Sequence, residues 1–216
     1  MRSDMSNIWL ERWNERYSST EYAYGTDPNE FFKKELSGLP AGKILFAAEG
    51  EGRNAVFAAV NGWEVAAFDI SEEGKKKAVK LAETREVFID YRIGELQALN
   101  FRENTFDAIA LIYAHFPAEI RSEYHRILDT LLKQGGYILF EAFSKNHLPY
   151  RLENEKVGGP SDLPNLFSIE EIMADFAGYH FIRIQEAVIE LNEGLYHQGT
   201  GSVIRFLAQK IENHYA

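Results

Sequence analysis

The chain has 216 residues, enough to bury a full hydrophobic core in one domain of ordinary size. Its composition, 45% apolar and 26% charged, is that of a globular protein, and no apolar run approaches the roughly 20 residues that cross a bilayer. A formal net charge of −10 repels nucleic-acid phosphates and anionic lipid heads, and the absence of cysteine excludes disulfides and thiolate chemistry. The segment Met1-Arg2-Ser3-Asp4-Met5 has no apolar core of the signal-peptide kind, so a cytosolic location is expected. Lys75-Lys76-Lys77 reads as the solvated face of a helix rather than a basic patch.

The chain opens on an aromatic segment with Trp9, Trp13, Tyr17, Tyr22 and Tyr24, which fits either a lid or an amphipathic helix laid on a sheet. Asp27-Pro28 then reads as a helix cap followed by proline at the first position. From residue 43 to 143 apolar strand-like runs alternate with helical patterns, the signature of a parallel α/β sheet. Strands are expected at 44–48, at 64–68 running to Asp69, at 87–93, at 106–113 and at 137–143. A helix from Arg53 closes at Asn61-Gly62, and Ser71 caps another whose first turn carries Glu72 and Glu73. Ile120, Tyr124, Ile127, Leu128, Leu131 and Leu132 fall at helical spacing, with Gly135-Gly136 as the stop. Residues 144–167 read as a long functional loop, and Ser168 with Glu171 as a capping box. Strands at 180–191 and 202–210 around a turn-rich 192–201 suggest an antiparallel hairpin. The expected organisation is one domain over 1–216, divided into an N-terminal lid (1–37), a cofactor-binding core (43–143), and a substrate loop with terminal hairpin (144–216).

The chemistry begins where the first strand meets its helix, in Ala47-Ala48-Glu49-Gly50-Glu51-Gly52-Arg53-Asn54. Gly50 and Gly52 let backbone approach a ligand just before a helix N-terminus with free N–H groups. Asp69, at the end of the second strand, is placed to accept ribose hydroxyls, and Glu95 follows the third strand at another ligand-facing strand end. Gly50-Glu51-Gly52-Arg53-Asn54-Ala55 also satisfies the dinucleotide pattern G-x-G-x-x-A. Glu49 and Glu51 beside the turn are awkward for a pyrophosphate but suit the sulfonium and ammonium of S-adenosylmethionine. A single-domain NAD(P)-dependent oxidoreductase and a non-catalytic cofactor-binding module remain the alternatives.

At these residues the chain resembles class I S-adenosylmethionine-dependent methyltransferases, and among them the tellurite-resistance and thiopurine type. The resemblance takes in Trp13-Asn14-Glu15-Arg16-Tyr17, Tyr24-Gly25-Thr26-Asp27-Pro28-Asn29, the glycine turn, Asp69-Ile70-Ser71 and Glu95-Leu96. Later segments are Glu141-Ala142-Phe143-Ser144, Gly158-Gly159-Pro160 and Glu193-Gly194-Leu195-Tyr196-His197-Gln198-Gly199. It implies a Rossmann-like seven-stranded, mainly parallel sheet in the order 3-2-1-4-5-7-6, strand seven antiparallel, with helices on both faces. It further implies that Tyr24, Ala48, Glu49, Gly50, Gly52, Asn54, Asp69, Ile70, Glu95, Leu96 and Tyr113 hold the cofactor: the turn the methionine part, Asp69 the ribose, Glu95 and the Leu96 N–H the adenine. The chain departs from the pattern at Phe46, where members usually carry an acid, and at Ala48, where they carry glycine. Ala48 costs little if its φ is negative, and Glu49 is a candidate substitute for the missing acid.

Methyl transfer is an in-line displacement, so alignment and exclusion of water supply most of the catalysis, and only a hard acceptor needs a base. Tyr113 and His115 follow the fourth strand, where the methyl group is expected to emerge, and His197 lies in the hairpin reaching over the same edge. Catalytic or acceptor-binding roles are expected for His197, His115 and Arg53, the last facing an anionic acceptor or pairing with Glu49 or Glu51. The implied partner is a small methyl acceptor, a thiol or a tellurite- or selenite-like anion, with no nucleic acid or membrane and a monomeric or homodimeric state. The six histidines show no metal-ligand spacing, so no metal is expected.

Overall fold

A computed structural model describes residues 2–212. Its centre is a seven-stranded sheet in the order β3-β2-β1-β4-β5-β7-β6. The strands are β1 (Lys43–Ala47), β2 (Glu64–Asp69), β3 (Asp90–Ile93), β4 (Phe106–Ile112), β5 (Leu132–Phe143), β6 (Tyr179–Glu193) and β7 (His197–Lys210). β1 to β5 are parallel, and β7 runs antiparallel to both β5 and β6. The seven-stranded order and the reversed last strand expected from the sequence are both present. The helices are α1 (Arg2–Tyr17), α2 (Glu30–Leu36), α3 (Arg53–Val60), α4 (Glu72–Thr84), α5 (Ala118–Leu131), α6 (Leu148–Glu153) and α7 (Ile169–Asp175).

The strands carry continuous apolar runs because both sheet faces are covered. Along β1, Leu45 and Ala47 join a core with Tyr124 and Leu128 of α5 and Ile172 of α7. Ile44 and Phe46, one residue out of phase, join a second core with Phe32 of α2, Val56 of α3 and Leu81 of α4. This two-residue alternation packs α5 and α7 on one face and α2, α3 and α4 on the other. Phe46 is fully buried and meets Phe32 edge-on at 5.4 Å, so it packs the core at the position of the family acid.

Several sequence expectations are corrected. α2 starts at Glu30, capped by Asn29 whose side chain accepts from the Phe32 N–H, and not at Asp27-Pro28. α5 ends at Leu131 because Leu132 is already extended; Gly135-Gly136 lie inside β5, within a shift of register against β4. Residues 144–167 are not structureless, holding α6 and single helical turns at 145–147, 155–157 and 163–165. The hairpin reverses in only three residues, 194–196, since Glu193 and His197 already pair. The capping box at Ser168 and Glu171 has both of its hydrogen bonds.

Candidate active site

The chain leaves β1 through Ala48 at φ 51, Gly50 at φ 62 and Gly52 at φ 85. Ala48 is therefore left-handed, not negative in φ, which costs an L-residue about 1 kcal/mol. Gly50 marks a close approach, since a Cβ there would lie 2.6 Å from the Tyr17 hydroxyl. Asp69 ties the neighbouring strand ends together. Its carboxylate accepts from the Gly50 N–H and the Ser71 N–H, each at 2.9 Å, and the Ile70 amide lies beside it. Its backbone carbonyl accepts from Gly94, the residue before Glu95, at 3.0 Å. The glycine turn, Asp69 and Glu95 thus share one carboxyl edge of the sheet. Glu95 is exposed, whereas Leu96 is buried with its amide beside the Tyr124 hydroxyl.

Glu49 organises the turn. One of its oxygens accepts from both Asn54 N (3.0 Å) and Ala55 N (2.8 Å), capping α3 with a carboxylate. Burial raises its pKa to about 7, against the pull of those amides and Arg53. Burial also raises Asp69 and Glu51. The α3 amides that would grip a phosphate are thus already bonded to carboxylates of the chain.

The remaining turn residues fasten the segment above. Glu51 accepts from Ala23 N at 2.8 Å and pairs with Lys77 at 2.7 Å, both side chains largely buried. Arg53 donates to the carbonyls of Tyr24 and Asp27 and pairs with Glu193 at 2.9 Å, not with Glu49 or Glu51. Asn54 accepts from Asn29 N at 2.9 Å. The hairpin tip closes the far side, with Leu195 N donating to Ala23 O at 2.8 Å. Residues 23–29 are held down by three polar side chains of the turn, Glu51, Arg53 and Asn54. α1 also contributes: Trp13 stacks on Tyr17 at 5.5 Å, and Arg16 donates to the Tyr24 hydroxyl at 2.9 Å.

Beyond β4 and β5 lies a cluster of aromatic and imidazole rings. The His197 ring sits 4.6 Å from Tyr24, 4.5 Å from Tyr113 and 5.3 Å from Phe143. Phe143 also stacks on His147 at 4.0 Å and on His115 at 5.8 Å. Tyr113 has φ 54, a strained value for an aromatic residue, fixed by its amide and hydroxyl both bonding to Glu141. Glu193 bonds His197 Nδ1 at 2.8 Å, and although burial acts to raise it, Arg53 and His197 hold it down to about 2. His197, His115, Tyr113, Tyr24 and Arg53 therefore meet in one region, while Glu95 and Leu96 follow β3 at the same edge of the sheet. Sequence reasoning gave no role to Glu141, Glu193, Asn29 and His147. Asn29, Glu141 and Glu193 lie in segments that carry the resemblance, and Glu141 is also an acid inside the apolar run 138–143.

A family described as methyltransferase domain matches residues 45–140, the stretch from β1 to β5. The core of the chain, from β1 to β5, is thus similar to a methyltransferase domain. A thiopurine S-methyltransferase of Aliivibrio fischeri is 31% identical over 96 residues, 44% of this chain and 38% of the relative. The matched stretch thus spans well under half the length of that curated relative. Among solved structures similar to this chain, one described as "Conversion of a Disulfide Bond into a Thioacetal Group during Echinomycin Biosynthesis" superposes with TM-score 0.75 at 18% identity, covering 96% of this chain and 94% of that one. TehB from Haemophilus influenzae superposes with TM-score 0.68 at 19% identity, over 93% and 66%. At these identities the superpositions show the fold.

The family implies S-adenosylmethionine, and the donor set fits it. Three carboxylates, Glu49, Glu51 and Asp69, crowd the turn, which favours a cationic ligand and opposes a pyrophosphate. Among the described residues no helix is long and apolar enough to cross a membrane, and no group of three acidic or imidazole side chains is arranged to hold a metal.

Proposed function

We propose that this chain transfers the methyl group of S-adenosylmethionine to a small soft acceptor, of the thiol or tellurite/selenite type, in the cytosol as a monomer or homodimer. The observation that carries the reading is the self-capped glycine turn: Glu49 occupies the α3 amides and Asp69 that of Gly50, leaving a carboxylate-lined seat for a sulfonium and an ammonium. The sulfur acceptor in the name of the Aliivibrio relative supports a soft acceptor. In this scheme residues 43–143 hold the cofactor, 1–37 cover it, and 144–216 shape the acceptor site.

The bound cofactor supplies an electrophilic methyl group. The chain's own residues align and seal. Asp69 keeps a second lone pair on each oxygen for ribose hydroxyls, and Glu95 with Leu96 borders the adenine. Tyr24, Tyr113 and Phe143 exclude water from the site, with His115 and His197 facing the acceptor. Arg53 acts as a clamp joining the turn, the cover segment and the hairpin, and does not bind an anion, because Glu193 already neutralises it.

The NAD(P) alternative needs the amides that Glu49 occupies, and calorimetry separates the two. Adenosylhomocysteine is expected to bind and NADH not. NADH binding without adenosylhomocysteine binding would overturn the proposal. Cofactor binding with no transfer of labelled methyl to benzyl mercaptan, tellurite or selenite would favour a non-catalytic module.

A further inference from the structure

The three histidines around Phe143 differ in where each carries its proton. His147 is satisfied at both nitrogens: Nε2 lies 3.1 Å from the Gly158 carbonyl and Nδ1 accepts from Ser202 N at 3.2 Å. A carbonyl only accepts, so Nε2 holds the proton and the ring is a fixed strut. His115 is turned the other way. Its Nδ1 lies 3.2 Å from the Asn165 carbonyl, so Nδ1 carries the proton, and its Nε2 is buried with no partner among the described residues. His197 also carries its proton on Nδ1, which donates to the ionised Glu193 at 2.8 Å. A Cβ on Gly158 would come within 3.3 Å of His197 Nε2, so the glycine keeps that nitrogen uncrowded.

Burial holds His115 down to about 3 and His147 to about 4, and lowers His197 against the opposing pull of Glu193, so all three rings are neutral near pH 7. Neutral rings protonated on Nδ1 present lone pairs at Nε2. The Tyr113 hydroxyl gives its proton to Glu141 and so presents lone pairs as well. Arg53 is engaged with Glu193, Arg16 with the Tyr24 hydroxyl and over the Tyr196 ring at 4.1 Å, Arg121 with the Pro164 and Leu166 carbonyls, and Arg205 with Glu141, while Arg151, beside His147, reaches only the exposed Glu155 at 4.0 Å. A site whose imidazole nitrogens and phenol oxygen offer lone pairs is chemically matched to a ligand that brings hydrogens rather than one that brings only negative charge.

We infer that the methyl acceptor is a neutral molecule with a hydrogen on its reacting sulfur or nitrogen, recognised by the Nε2 lone pairs of His115 and His197, and not an oxyanion. This rests on the methyltransferase reading. The acceptor's proton passes to His197 Nε2 as its lone pair forms the new bond to the methyl carbon and the sulfonium–methyl bond breaks, the electron pair going to the cofactor sulfur. The resulting imidazolium is stabilised by Glu193, a positioning residue, and then releases its proton to water. His115 has only a carbonyl behind it and serves as a hydrogen-bond acceptor.

Nitrogen-15 correlation spectra of the imidazoles in the full chain at pH 7 test the proton placement without turnover. His115 and His197 are expected as the Nδ1–H form and His147 as the Nε2–H form. With adenosylhomocysteine present, benzyl mercaptan is expected to shift the Nε2 resonances of His115 and His197 but not of His147, while tellurite shifts none of them. With active cofactor, His197→Gln should lower turnover of benzyl mercaptan about a hundredfold, the usual scale of a lost general base. An Nε2–H form or an imidazolium at either ring, or a response to tellurite in place of the thiol, overturns the inference. Failure of adenosylhomocysteine to bind in calorimetry refutes the methyltransferase reading instead, and leaves the proton placement standing as measured.

Discussion

Replacing Glu49 by glutamine removes a charge from the cap of α3 while keeping an oxygen for the Asn54 and Ala55 amides. The carboxyl titrates at 4.5 in the open chain and at about 7 when folded, because burial disfavours its ionised form. Between those values the folded state holds a proton that the unfolded state has lost. Stability contributed by this group therefore falls as pH rises through that window, and the full cost is present above pH 7. At 1.36 kcal/mol per unit the cost is about 3 kcal/mol, an upper figure because the site can relax. The wild-type curve alone does not isolate it, since the buried histidines work in the opposite direction. His115 and His147 titrate at 6.5 unfolded but at about 3 and 4 folded, so their contribution rises with pH. The difference between wild type and Glu49→Gln cancels them. Urea denaturation at pH 5, 6, 7 and 8 should give near-equal midpoints at pH 5 and a variant progressively more stable towards pH 8, with unchanged slope. A difference that is flat with pH, or that favours the wild type at pH 8, would refute the assignment of Glu49 as a buried, reluctantly ionised cap.

Asp69→Ala should weaken adenosylhomocysteine binding about tenfold or more in calorimetry, the scale of one charged hydrogen bond; unchanged affinity would remove Asp69 from the ribose. Ala48→Gly relieves a left-handed alanine at φ 51 and should raise stability by roughly 0.5 kcal/mol after the added freedom of the unfolded chain; a lower denaturation midpoint contradicts the strain. Arg53→Met leaves Glu193 buried without its partner and should cost about 3 kcal/mol, with faster hydrogen exchange at Ala23 and Leu195, while Arg53→Met with Glu193→Gln recovers most of the loss. Equal exchange in the single variant and wild type would mean that Arg53 does not clamp the cover segment.

Local signals located the elements that depend on neighbouring residues. Ser71 and Ser168 cap their helices as their spacing predicts, because a cap is a contact across three residues. Asp27-Pro28 misled, since Asn29 caps through its side chain and is also fixed by Asn54 and Glu141, both remote in sequence. Gly135-Gly136 resembled a helix stop, but pairing of Leu132 and of Tyr137 onward with β4 leaves those residues in a register shift inside a strand. The turn-like composition of 192–201 concealed two strands whose cross-chain pairing runs to Glu193 and His197.

Read as a string, the chain already determined a doubly covered parallel sheet, its glycine turn and the acid at the next strand end, because hydrophobic period and strand-end position are local properties. Tertiary structure alone decided what the polar side chains do. Glu49 turned inward to cap α3, Arg53 was claimed by Glu193 of the hairpin, and His115 was left with one buried, unpartnered nitrogen. Partner choice among buried charges depends on which side chains the fold brings within 3 Å of one another, and desolvation makes that choice binding; neither quantity exists until the sheet has closed.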